Sequence, residues 1–81
     1  MGKEETRVRI GRRLAEIRKS VVWTDGDGNE RTGMTQGELA ERCGLSQPHI
    51  TRIENGYYSA GVEKLDDIAR AMGYHVDFLK E

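Results

Sequence analysis

The side chains of this 81-residue chain that could do chemistry are few and scattered. One thiol, Cys43, and two imidazoles, His49 and His75, cannot build a disulfide framework, and they fall short of a four-ligand zinc set unless carboxylates complete it. Metal and redox chemistry are not expected, and Cys43, at a helix position that faces inward, reads as an inert apolar thiol. Asp25, Asp27 and Asn29 occupy the first, third and fifth places of a calcium loop. The sixth place, which must be Gly, is however Glu30, and the twelfth, which needs a bidentate Glu, is Gln36. Turn chemistry is the better account, since Gly, Asp and Asn all supply it. No acids or histidines fall at a spacing that pairs a general acid with a base, so the chain reads as a non-enzyme that needs no cofactor.

The elements that would hold any other site follow from periodicity. Ile10, Leu14, Ile17 and Val21 make the stripe of an amphipathic helix over about residues 5–20, with Arg and Lys on its other faces. The period then changes. Val21-Val22-Trp23-Thr24 is β-prone, Asp25 to Asn29 is turn chemistry and Glu30-Arg31-Thr32 can return, so residues 21–32 read as a β-hairpin. Thr35-Gln36-Gly37-Glu38 is a capping box that opens a second helix of about two turns, with Met34 and Leu39 as its hydrophobic staple and Gly44 as its left-handed stop. Ser46 caps a third helix with Leu45 and Ile50 as staple and Pro48 in the first turn, and Gly56 ends it. Gly61 opens a fourth, whose buried stripe is Val62, Leu65, Ile68, Ala69 and Met72, with Gly73 as stop. The tail alternates, so Tyr74, Val76 and Phe78 fall on one side of a short strand that would pair with its twin across a dimer axis; a closing helical turn is the rival.

Two short helices joined by a tight Gly-containing turn make a helix-turn-helix over residues 35–56. From Gln36 to Asn55 the chain resembles the phage-repressor, Cro-like type of helix-turn-helix proteins, also called the xenobiotic-response-element family. Ala40 sits where the helices cross, Gly44 is the turn, Leu39, Leu45, Ile50 and Ile53 are core, and Ile53-Glu54-Asn55-Gly56 closes the motif. The resemblance implies a mainly α, four- to five-helix, lambda-repressor-like DNA-binding domain; the hairpin at 21–32 is an insertion in that pattern. With Ile50 and Ile53 inward, the third helix must present Gln47, Pro48, Thr51 and Arg52 outward. The family places a glutamine at the position of Gln47 to read an adenine edge. Arg52 suits guanine O6 and N7, and Pro48 and the Thr51 methyl suit a thymine methyl. The resemblance gives Gln36 and Asn55 to phosphates; Thr35, Ser46, Tyr57 and Tyr58, with hydroxyls that can reach the backbone, are further candidates for the same job. The resemblance also makes Arg18 and Glu54 a largely internal ion pair, structural in role. His49, at the edge of the face, reads as solvated, and Trp23 as packed on the helices, with Arg31 as an alternative wing contact to phosphate.

Net charge is −1 and the pI is about 6.1, which argues against an indiscriminate polyanion binder. The charge is uneven: residues 1–24 carry net +4 and residues 25–81 net −5. The longest apolar run, Val21-Val22-Trp23, is far too short to span a membrane, so a soluble, cytoplasmic protein is expected. So small a chain, reading as one domain over 1–81, gains from dimerisation. The function these features point to is a dimeric repressor on a two-fold DNA operator, entering the major groove. The alternatives are an antitoxin-type autorepressor with a toxin-like protein partner, and a protein-interaction adaptor that binds no DNA.

Overall fold

The computed structural model describes residues 2–57 and 60–80. Four helices and one two-stranded antiparallel sheet follow in the order α1 (Lys3–Ser20), β1 (Val22–Thr24), β2 (Glu30–Thr32), α2 (Gln36–Cys43), α3 (Gln47–Glu54) and α4 (Val62–Ala71). This is the mainly helical architecture, with an inserted hairpin, that the sequence implies. Leu14 and Ile17 of α1 close over Leu39 and Ala40 of α2, Ile50 and Ile53 of α3, and Ile68 and Met72 of α4. Leu39, Ile50 and Ile68, one from each of the later helices, are the largest fully buried side chains, so the helix-turn-helix is seated on a shared core.

Local chemistry sets each boundary. Thr35 Oγ1 accepts the Glu38 N–H at 3.0 Å while Glu38 Oε1 accepts the Thr35 N–H at 2.8 Å, a complete capping box. Met34 in front of it is buried, as a staple requires. Gly44 ends α2 at φ +71°, a left-handed conformation that costs a glycine nothing. Ser46 Oγ then accepts the His49 N–H at 3.4 Å to start α3. The turn between the recognition elements is thereby fixed at both ends.

In the hairpin, Val22 faces Thr32, Trp23 faces Arg31 and Thr24 faces Glu30. Asp25 Oδ1 accepts the Asp27 and Asn29 N–H groups at 3.0 and 2.9 Å, so the carboxylate that heads the calcium-like spacing is spent on shaping the turn. An isolated hairpin is marginal in water. Trp23 anchors this one: its indole N–H donates to the Gly33 carbonyl at 2.7 Å and its ring packs against the helical core.

Three expectations need correction. Residues 74–80 form no strand. The hairpin strands pair with each other, and the tail's amides turn back to α4 instead: Tyr74 N–H to Ala69 O and Val76 N–H to Asp66 Oδ1, each at 2.9 Å. Val62 is exposed rather than part of the buried stripe, because the first turn of α4 overhangs the core and lines an open groove of about 430 Å³ with Val76 and Phe78. His49 is half-buried rather than solvated.

Candidate nucleic-acid interface

The outer face of α3 is built from the inside outward. Ile50 and Ile53 are nearly fully buried, and helical geometry then turns Gln47, Pro48 and Arg52 into solvent with Thr51 half-covered beside them. Arg52 makes no hydrogen bond or ion pair with its side chain among the described residues, so its five donors face outward unspent.

Behind that face lies a polar lock. Arg18 of α1 grips Glu54 of α3 with two parallel bonds, Nε to Oε2 at 2.6 Å and Nη2 to Oε1 at 2.9 Å, and its Nη1 donates to the Met34 carbonyl at 2.8 Å. The two side chains are only 10% and 5% exposed, so this ion pair is internal and its charges answer each other. Gln36, the first residue of α2, joins it by donating Nε2 to Glu54 Oε1 at 2.9 Å. Its carbonyl oxygen accepts from the Thr51 hydroxyl at 2.8 Å and from Gln47 Nε2 at 3.2 Å. One glutamine thus ties α2 to the start, middle and end of α3.

The other sequence-assigned residues fall around this lock. Thr35 is exposed at the N-cap of α2; its oxygen accepts within the capping box, and its hydroxyl helps to lower the pKa of the Glu38 carboxylate. Ser46 and Asn55 are exposed at the two ends of α3, and Tyr57 is 82% exposed just beyond. Tyr58 lies outside the described residues. The basic excess of the N-terminal third stands on α1, where Arg9, Arg12, Arg13 and Lys19 are exposed. Cys43 is half-buried, its thiol 3.0 Å from the Leu39 carbonyl, and burial pushes its pKa up, away from the reactive thiolate.

Two features were missed in the sequence. Gly11 lies mid-helix in α1, where a Cβ would stand 2.3 Å from the Ile53 carbonyl oxygen and 2.6 Å from that of Glu54. Only glycine lets α1 cross the end of α3 this closely; a lone glycine inside a periodic helix was the available signal. The second is the seam between hairpin and α2. Arg31 Nη1 lies 2.6 Å from Glu38 Oε2, and the guanidinium carbons of Arg31 and Arg42 lie 4.9 and 5.5 Å from the centre of the Trp23 ring. Cross-strand pairing of Trp23 with Arg31 was the only hint of it.

Residues 29–79 match the family model described as helix-turn-helix. An uncharacterized HTH-type transcriptional regulator, y4dL, of Sinorhizobium fredii (strain NBRC 101917 / NGR234) is 43% identical over 47 residues, which is 58% of this chain and 24% of that protein. An uncharacterized HTH-type transcriptional regulator of Methanothermobacter thermautotrophicus is 46% identical over 41 residues, 51% of this chain and 59% of that protein. The chain thus spans about a quarter of the first relative and three-fifths of the second. No solved structure matches it at a significant level. With the family's pattern running through more than half of the sequence, and helix, turn and helix standing in place at Gln36–Glu54, the chain belongs to the Cro-like helix-turn-helix family.

Proposed function

We propose that this chain is a sequence-specific DNA-binding transcription regulator, a dimeric repressor that occupies a two-fold operator in the cytoplasm. Gln47, Pro48, Thr51 and Arg52 read base edges in the major groove, and Thr35, Gln36, Ser46, Asn55, Tyr57 and Tyr58 hold the phosphates on either side. The observation that carries this reading is the outward face of α3, with Arg52 unspent, fastened from behind by the buried Arg18–Glu54–Gln36 lock. A helix so held presents its donors at fixed angles, which is what discrimination between base edges needs.

Dimerisation rests on the other end of the molecule. Phe78 is fully exposed and Leu79 is 92% exposed beside a groove in which Val62 and Val76 share the lining with Glu63, Asp66, Asp67, Arg70 and Asp77, and a second copy would cover its apolar part. A two-fold dimer would set two α3 helices about one turn of duplex apart, roughly 34–36 Å.

The test is selection of bound sequences from a random duplex library at physiological salt. An enriched palindrome with half-sites about 10 base pairs apart is expected. Folded protein that enriches nothing would overturn the reading in favour of an adaptor, and enrichment of an unpaired half-site would remove the dimer from it.

A further inference from the structure

The hairpin is a departure from the pattern this chain otherwise follows, and its placement suggests its use. It is fastened at three points along α2. Trp23 donates to the Gly33 carbonyl just before the helix, Arg31 bonds Glu38 in its first turn, and Arg42 in its last turn lies against the Trp23 ring while its Nε donates to the Ala71 carbonyl at the end of α4. The charges of the hairpin are sorted. Asp25, Asp27 and Glu30 stand at or beside the turn, whereas Arg31 is held against the helix.

Glu38 explains why an arginine belongs there. As the third helical residue it completes the capping box, so α2 needs it, and its carboxylate stays ionised. In the proposed reading the same first turn, through Thr35 and Gln36, meets a DNA phosphate. A fixed negative charge one turn from that phosphate opposes the approach, by roughly threefold in affinity for unit charges about 7 Å apart in water. Arg31, 2.6 Å from the carboxylate, cancels it, and the Trp23 ring keeps the guanidinium in place.

We infer that the hairpin serves DNA binding as an electrostatic shield: Arg31 is a positioning residue that neutralises the capping carboxylate of Glu38 so that the phosphate backbone can close on the start of α2. This rests on the DNA-binding reading above. It assigns the insertion a role distinct from a wing, because Arg31 acts through Glu38 and not by gripping phosphate.

A double-mutant cycle separates the two. Arg31→Gln, Glu38→Gln and the double variant are compared with the full wild-type chain on the duplex recovered by selection and on a scrambled duplex of the same length. Gln at position 38 retains the capping role, and thermal unfolding of all four proteins confirms that each is folded. Arg31→Gln is expected to weaken binding to both duplexes by about threefold without changing base preference, Glu38→Gln to strengthen it by about as much, and the double variant, with neither charge left, to bind within about twofold of wild type. Arg31→Lys, which keeps the charge, is expected to bind within about twofold of wild type. A double variant that binds as weakly as Arg31→Gln would show a direct phosphate contact and overturn the inference, as would no loss from Arg31→Gln. A wild-type chain that binds no duplex at all would instead bring down the DNA-binding reading itself.

Discussion

Arg52 and Asn55 sit three residues apart, yet their surroundings assign them different duties. Arg52 stands on the open face of α3 with all its donors outward, whereas Asn55 caps the helix end, its N–H bound to the Thr51 carbonyl at 3.0 Å. Arg52→Ala is expected to relax preference at one base pair, losing about 1–3 kcal/mol of discrimination, while Asn55→Ala weakens every duplex alike. Binding to a panel of single-base-pair variants checks both, and normal binding by both mutants would show that the face is misassigned. Gly11 acts by what it lacks. Ala would favour the helix by about 1 kcal/mol on propensity alone. A Cβ 2.3 Å from a backbone oxygen nevertheless forces α1 away from α3, so Gly11→Ala should destabilise by about 1–3 kcal/mol in urea denaturation. A stabilised variant would mean that the helices do not cross this closely.

At the scale of elements, α2 is short and is held by partners rather than by its own length, since eight residues make an isolated helix marginal. Its capping carboxylate ties it both to its own start and to the hairpin. Glu38 lies below its ordinary pKa of 4.5, first because the Thr35 N–H donates to it and further because of the Thr35 hydroxyl and Arg31. A depressed folded-state pKa means that this stabilisation is full above 4.5 and is lost as pH falls through the lower folded value. Asp66, lowered by the Val76 N–H and then by Arg70, follows the same sign and would loosen the tail from α4 in acid. Thermal melts between about pH 6 and pH 3 should show a smaller loss of stability for Glu38→Gln than for wild type. Parallel curves would show that this carboxylate contributes nothing to the pH dependence.

At the scale of the whole molecule, a chain with a radius of gyration of 12.7 Å buries a single small core and leaves an apolar end uncovered. Phe78 contributes nothing to the isolated fold, being 100% exposed, so at concentrations where wild type is dilute enough to be monomeric Phe78→Glu should leave unfolding stability within about 0.5 kcal/mol of it. The same change should convert a dimer to a monomer in sedimentation equilibrium, and weaken operator binding by more than about tenfold as the second half-site is lost. A wild-type chain that sediments as a monomer well above its operator Kd would sink the two-fold reading.

Local rules wrote much of this molecule into its sequence. The capping boundaries at Thr35 and Ser46, the glycine stops at Gly44 and Gly56, the hairpin and the Ile50/Ile53 stripe each depend on neighbours within a few residues, so spacing alone reveals them. The orientation of Gln47, Pro48, Thr51 and Arg52 followed from the same stripe, and the Arg18–Glu54 pair from the family's pattern. The rest depended on residues distant in sequence. Gly11 matters because α3 passes over it, Gln36 because Thr51 and Glu54 converge on it, and Arg31 because folding brings β2 against the first turn of α2. The tail's alternation suggested a strand, but a strand exists only beside a partner edge, and the folded chain instead ties those amides to α4 and leaves Phe78 outside. Periodicity states which face of an element is apolar; only the assembled structure decides what, if anything, covers it.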